Sequence, residues 1–381
     1  MPPEFTSNFV EFVKNIYPSK DTIPLHVASF LPNELEIIKH CLDSGVISTY
    51  SQITTEFENK LISLTGIPYA VAMVNATMSL YLTMKYIGIS EGDEVILPAI
   101  SFIAAANSVT MLGAHPVFVD VDKKTTGMDI EKLKEWLTKN STVKNGKLIN
   151  KKSRRTLKAV MAVHSLGFIG AMDELQTLCK RYGMILIEDG AQSLGSFSDT
   201  KHAGSWGEFA VISFNGNKVV TTGGGGAVLT QHKKLAQKIR HLSDNARIPH
   251  QYGTMYKEIG YNLRMPGINA SLGLSQLNAL PQLIERKKKL FEKYNIFFKG
   301  TGYAMLTPPV ENVSNHWLNA VVLTNLRERN NFIGTCHQHK IMVSPIWRIL
   351  PEMPVYKQAQ KGDLSNSKWL WERVVFLPSS I

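Results

Sequence analysis

Cysteine is scarce: Cys41, Cys179 and Cys336 are the only three in 381 residues. Three thiols cannot all pair within one chain, and their spacing matches no metal site, so a disulfide scaffold is excluded and a reducing, cytoplasmic setting is expected. Cys179 falls in a helical pattern and reads as a small core residue rather than a nucleophile. No apolar run reaches the roughly 18 residues that cross a bilayer, so no membrane partner is expected. Met1-Pro-Pro-Glu-Phe5 lacks the basic stretch and apolar run of a signal peptide. His337 and His339 are two apart, and His164, His202, His241, His250 and His316 are scattered. No pair has H-E-x-x-H spacing, so no metal is expected. Internal repeats, low-complexity tracts and a G-x-x-x-x-G-K-[ST] phosphate loop are also missing.

Charge, by contrast, is lopsided. Lys and Arg number 42 against 31 Asp and Glu, a formal net charge of +11. The basic residues cluster in two runs, Lys144 to Arg155 and Arg286-Lys-Lys-Lys289. The first sits in a polar insertion and is expected to be a surface loop; the second continues a helical pattern and is expected to be a solvated helix face. Neither accompanies a nucleic-acid motif, so no nucleic-acid partner is expected. A positive surface near an active site would instead attract an anionic substrate.

Apolar content of 44% fits a globular chain, and 381 residues exceed one ordinary core. Strand-like runs at 69–74, 94–98, 116–121, 158–163, 184–188 and 208–213 alternate with helical patterns near 77–89, 102–112, 128–139 and 172–182. That alternation predicts an α/β fold with a mostly parallel sheet flanked by helices. A long helix is predicted from 267 to about 299. The expected organisation is a large domain over 51–270, a smaller C-terminal domain over 271–381, and an N-terminal segment, 1–50, packing on the smaller one.

Within this frame, one segment points to chemistry. The apolar run Glu208-Phe-Ala-Val-Ile-Ser213 delivers Lys218 through Phe-Asn-Gly-Asn, followed by the glycines 223 to 226. Burial lowers a lysine's pKa, and a neutral amine attacks an aldehyde. Four glycines let backbone approach a flat ligand. The design suits a lysine holding pyridoxal 5′-phosphate (PLP); a solvated lysine on a flexible glycine loop is the other reading.

A second apolar strand, Tyr182-Gly-Met-Ile-Leu-Ile-Glu-Asp189, ends in an acid. PLP needs a carboxylate beside its pyridine nitrogen to keep the ring an electron sink. Asp189 is the candidate, with a helix N-cap as the alternative; Glu188 should face the opposite side. Gln192 is placed to lie against the ring. Val71-Ala-Met-Val-Asn75-Ala76-Thr77 reads as strand, turn and helix start, whose free N–H groups and dipole suit a phosphate. The hydroxyls of Thr77 and Ser213 would add donors.

These blocks recur in one order with Gly92-Asp-Glu-Val-Ile-Leu-Pro-Ala-Ile-Ser-Phe102, Gly113-Ala-His-Pro-Val-Phe-Val-Asp120 and Gly260-Tyr-Asn-Leu-Arg264. Together they resemble the PLP-dependent sugar-nucleotide aminotransferases of the DegT/DnrJ/EryC1/StrS family, over nearly the whole chain. The resemblance implies fold type I, with a smaller α+β C-terminal domain. It implies that Lys218 is the Schiff-base lysine and proton shuttle, Asp189 the pyridinium partner and Gln192 a ring-face contact. Ala76, Thr77 and Ser213 match phosphate ligands, and Phe102 an aromatic that stacks on the cofactor. Asn262 matches a phosphate contact reaching in from the neighbouring subunit, with Arg264 in the same segment on the substrate side. A homodimer with shared active sites is therefore expected.

Ser213 to Gly226, Asn315-His-Trp-Leu-Asn-Ala320 and the insertion at Asn150 to Arg155 resemble the legionaminic-acid branch of the family. That branch moves an amino group from L-glutamate to C4 of a UDP-linked 4-keto-6-deoxy-N-acetylhexosamine. GDP-perosamine synthases share the Ser213-Phe-Asn-Gly-Asn-Lys218 block and compete as a reading. Three positions depart from the family pattern: Ala76 where glycine is common, Phe168 where histidine is usual, and Ser51 where glycine is common. They put the sugar in doubt rather than the cofactor. Lysine at 218 disfavours the related sugar dehydrases, which carry histidine there. His164 follows a strand and would touch cofactor or sugar, or sit satisfied in the core. His316 and Trp317 would meet the nucleotide substrate, or pack as aromatics. A sensor that binds PLP or the sugar nucleotide without turnover is the reading from another class.

Overall fold

Seven strands and their helices set the frame: β1 (Tyr69–Met73), β2 (Asp93–Pro98), β3 (His115–Val119), β4 (Thr156–Val163), β5 (Ile185–Asp189), β6 (Phe209–Ser213) and β7 (Gly226–Thr230). The computed structural model describes residues 3–32, 34–49 and 51–381; Met1, Pro2, Asn33 and Tyr50 lie outside the described residues. The spatial order is β1-β7-β6-β5-β4-β2-β3, extended by a short strand at Gln360–Lys361. From β6 outward the neighbours pair in parallel, while β7 runs antiparallel to both β1 and β6. The sheet is therefore mixed but mostly parallel, and helices flank it. β7 is absent from the sequence-based expectation, because its leading glycine closes a run that reads as loop.

Alternation along the strands builds a core on each face. Val95 and Leu97, with Ala159, Met161, Val163 and Ile187, belong to one cluster. Ile96, Val160, Ala162 and Leu186 belong to the other, with Leu133 and Trp136 from the helix Ile130–Asn140 and Leu175 and Leu178 from Met172–Tyr182. The first core takes the helices Gln52–Thr65, Ala76–Tyr86 and Lys233–Ser243. A β-strand buried on both faces needs apolar residues at every position, which is why these strands read as continuous runs.

A third core joins the helix Pro3–Ile16 to the C-terminal part. Phe9, packed against Phe297, Phe298 and Phe332, meets Leu290, Tyr294, Val321 and Val375. Here a four-stranded antiparallel sheet runs Ala304–Met305, Asn319–Val322, Val374–Leu377, Ser344–Pro345. The helix Gly267–Phe298 gives Leu277, Leu280 and Leu283 to the first core and Leu290, Tyr294 and Phe298 to the third. The boundary expected at 270/271 falls inside this helix, within its first turns.

Two expectations about the basic runs are corrected. The insertion near Lys144 is a β-hairpin, Ser141–Lys144 paired with Lys147–Asn150, because Asn145 and Gly146 both take positive φ and close a tight turn. It docks on β4 through Ile149 and Thr156. The second run lies on a helix with Lys288 and Lys289 exposed as expected, but Lys287 is 1% exposed, since it shares a helical stripe with Leu283, Leu290 and Tyr294. Among the described residues, no helix is long and apolar enough to cross a membrane.

Candidate active site

β5 and β6 are parallel neighbours, so their carboxyl ends open on one edge of the sheet, where ligands collect in such folds. β7 brings a third element to that edge. Gly226 pairs with Ser213 of β6 on one side and Met73 of β1 on the other. The chain leaving β1 turns at once into the helix Ala76–Tyr86, capped by Asn75, whose Oδ1 accepts from the Met78 N–H at 2.8 Å. A Cβ on Gly226 would lie 2.4 Å from the Asn75 carbonyl carbon and 2.5 Å from the Ala76 nitrogen. Only glycine lets β7 pass against this helix start.

A cavity of about 590 Å³ occupies the edge. Lys218, Asp189, Gln192, Ser213, Ala76, Thr77, Phe102 and Trp317 all line it. The segment between β6 and β7 is held by Phe214, whose N–H donates to the Gly225 carbonyl (2.9 Å) and whose carbonyl accepts from the Thr222 N–H (3.0 Å). Lys218 hangs from this loop with Nζ 4.1 Å from the centre of the Trp317 ring. Among the described residues, Nζ forms no hydrogen bond or ion pair. Burial pushes its ammonium down to about 8, and the Asp189 carboxylate opposes that shift.

Asp189 closes β5 and is 8% exposed. Its Oδ1 accepts from the Ala191 N–H at 3.0 Å. Desolvation raises its pKa, while that N–H, Lys218 and His164 pull it down. The segment after Asp189 is a turn, not a helix, so the N-cap alternative does not apply. Glu188 faces the other side and takes the N–H groups of Gly204, Trp206 and Gly207 at 2.8, 2.7 and 2.6 Å. Gln192 Oε1 accepts from the Leu166 N–H at 2.8 Å, and Asn315 Nδ2 donates to the carbonyls of Gln192 and Leu194. Phe102, at 57% exposed, offers an open aromatic face to the cavity.

Four expected residues lie elsewhere. His164 does not line this cavity: it follows β4 toward the Glu188 side, with Nε2 2.8 Å from Glu188 Oε2, and is 1% exposed. The alternative of a satisfied core histidine describes it. His316 takes a left-handed φ of 48° and stacks on Phe291 with centroids 4.6 Å apart; burial pushes its imidazole down to about 4. Asn262 is exposed and bridges to Asp244. Arg264 lines a second cavity with Arg240 and Arg247, and its guanidinium pairs with Glu58 at 3.3 Å.

Sequence reasoning did not single out His26 or Trp347, which also line the first cavity. Neither belongs to a motif. Trp347 lies behind Trp317, nearly parallel at 13°.

The cavity's residues fit PLP. A half-buried amine without a partner among the described residues suits an aldehyde, a buried carboxylate suits a pyridine nitrogen, and a helix N-terminus beside two hydroxyls suits a phosphate. The glycine at 226 is the cradle without which these groups would not meet.

The comparisons with known proteins agree. The family model of the DegT/DnrJ/EryC1/StrS aminotransferases matches residues 31–381. GDP-perosamine synthase of Escherichia coli O157:H7 is 32% identical over 362 residues, covering 94% of this chain and 93% of that one. The aminotransferase TlmJ from Streptoalloteichus hindustanus superposes with a TM-score of 0.84 at 25% identity, covering 94% and 93%. Spr1654 from Streptococcus pneumoniae in its PLP form shares the fold, with a TM-score of 0.83 at 24% identity over 94% and 93%. With the family model spanning all but the first 30 residues, the chain belongs to the DegT/DnrJ/EryC1/StrS aminotransferase family, as a PLP-dependent sugar aminotransferase.

Proposed function

We propose that this chain transfers an amino group from L-glutamate to C4 of a nucleotide-linked 4-keto-6-deoxy sugar, with UDP-2-acetamido-2,6-dideoxy-hexos-4-ulose as the leading substrate. The product would be a UDP-4-amino-4,6-dideoxy-N-acetylhexosamine for bacterial surface glycans. The observation that carries the reading is Lys218: a desolvated, unpaired amine beside Asp189 in a cavity wide enough for a sugar. A second reading, GDP-4-keto-6-deoxymannose as substrate, is favoured by the likeness to a GDP-perosamine synthase.

Bound PLP supplies the aldehyde that carries the amino group and the ring that takes up an electron pair. The chain's residues do the rest. Lys218 would hold the aldehyde and would serve as the base that moves the proton at the reacting carbon. Its lowered pKa gives a large neutral fraction near pH 8. Asp189 holds the proton on the pyridine nitrogen, and its own raised proton affinity suits a shared proton. The N–H groups of Ala76 and Thr77, with the hydroxyls of Thr77 and Ser213, would hold the phosphate. Phe102 and Gln192 orient the ring, and Trp317 bounds the substrate side.

Asn262 and Arg264 would complete the site from a second copy, since neither lines the cavity of its own chain. An isologous dimer would then carry two equivalent sites. His316, packed on Phe291, is a weaker substrate contact than Trp317 in this reading.

Incubation with glutamate and a panel of 4-keto sugar nucleotides tests the function. Mass spectrometry is expected to find amination of the UDP-N-acetyl sugar in preference to the GDP sugar; the reverse preference selects the second reading, and no amination of any sugar contradicts both. Asp189→Asn should retain PLP through its phosphate contacts yet lose at least about 100-fold in kcat, because the ring nitrogen loses its proton; wild-type turnover would make Asp189 structural. Mixing inactive Lys218→Ala with Asn262→Ala, each checked for folding, should restore activity in verified heterodimers. If Asn262→Ala is inactive and its heterodimers stay inactive, Asn262 acts within its own chain.

A further inference from the structure

Lys287 is a buried amine that the reaction as proposed does not use, and burial pushes its pKa well below the ordinary lysine value. A lysine at 1% exposure must satisfy its N–H groups inside the protein. Its Nζ has three polar partners: it donates to the Trp317 carbonyl at 3.1 Å and to the Ser379 carbonyl, and it meets Nε2 of His26. Two N–H bonds serve the two carbonyls, and the third position of the amine meets the imidazole. The three partners come from three separate segments. The Ser379 N–H in turn donates to the Leu25 carbonyl at 2.7 Å, and the Asn319 N–H to Ser379 Oγ at 2.9 Å. The chain's end, its N-terminal segment and the strand after Trp317 are thus fastened at one point.

Two arms lead from that point toward Lys218. Burial, together with Lys287 and Lys218 nearby, pushes the His26 imidazole down to about 2, so the ring is neutral and carries one N–H. Its Nε2 meets Lys287, and its Nδ1 is buried near the Asn217 carbonyl, short of a well-formed hydrogen bond. The second arm is Trp317 itself. Its carbonyl is held by Lys287 and its Nε1–H donates to the same Asn217 carbonyl at 2.7 Å. Asn217 precedes Lys218, and the Lys218 amine rests on the Trp317 ring.

We propose that Lys287 is a positioning residue for Lys218: through the backbone of Trp317 and the ring of His26, it fixes the Asn217–Lys218 peptide and the indole face that shields the amine. Without it, the indole and His26 lose their anchor, and the amine gains water and rotamer freedom. The Lys218 ammonium then moves from about 8 back toward the ordinary lysine value of 10.5. This rests on the reading of Lys218 as the reacting amine, but the test below reads Lys218 directly and does not need that reading.

The test uses the full-length chain freed of cofactor, labelled with trinitrobenzenesulfonate across a pH series, with peptide mass spectrometry reporting Lys218. Lys287→Met keeps length and apolar character while removing all three polar contacts. It should raise the Lys218 titration midpoint by about one unit. In the PLP-loaded protein kcat should fall about tenfold while KM for the sugar nucleotide changes by less than about twofold. A merely structural Lys287 would lower the melting temperature and leave the midpoint in place, and that result overturns the proposal. Should Lys287→Met fail to fold by circular dichroism, His26→Phe decides: it keeps Lys287 on its two carbonyls but cuts one arm, and an unmoved midpoint there overturns the proposal equally. Failure of Lys218 to bind PLP covalently would show itself separately, with the titration result still standing.

Discussion

A half-buried amine that, among the described residues, has no hydrogen bond or ion pair is the condition on which the rest of this site depends. Lys218 meets it by resting on the Trp317 ring, close enough to Asp189 to feel its charge and too far to pair with it. Were the carboxylate to close on the amine, the amine would keep its proton and lose its nucleophilicity. Desolvation and the distant carboxylate pull in opposite directions, and desolvation wins, leaving the ammonium near 8 rather than 10.5.

The fold supplies that balance by topology. β5 ends in Asp189 and β6 leads to Lys218, and their parallel pairing opens both on one edge. A purely parallel sheet would leave the phosphate end to another strand. The antiparallel β7 instead places β1 on its far side, so Met73, Gly226 and Ser213 share one register line. The turn at Asn75 thereby falls beside Lys218 in the same cavity. Gly226 permits this contact, and any side chain there would meet backbone at 2.4 Å.

Much of this was legible in the sequence. Continuous apolar runs marked β4, β5 and β6, and the positions of Asp189 and Lys218 after two of them marked the edge where chemistry gathers. The period of two separated Glu188 from Asp189 correctly: the former binds three backbone N–H groups and His164 on the opposite face. What stayed hidden depended on long-range contacts. His164 reads as a site residue because it follows a strand, yet its partner Glu188 is 24 positions away. Lys287 sits in a run of four cations whose composition says solvent, while its place in the stripe with Leu283, Leu290 and Tyr294 says core; periodicity was the better guide. His26 carries no local signal, because its role comes from Lys287, 261 positions away. β7 was missed because four glycines mask the strand that begins with the last of them.

The central claim is that Lys218 is the amine that holds PLP, and one measurement reaches it directly. The purified, PLP-loaded chain is reduced with borohydride, digested, and the pyridoxyl-bearing peptide identified by mass spectrometry. The modification is expected on Lys218 alone, in the peptide that carries Ser213-Phe-Asn-Gly-Asn-Lys218. A pyridoxyl group on another lysine, with Lys218 unmodified, would contradict the account.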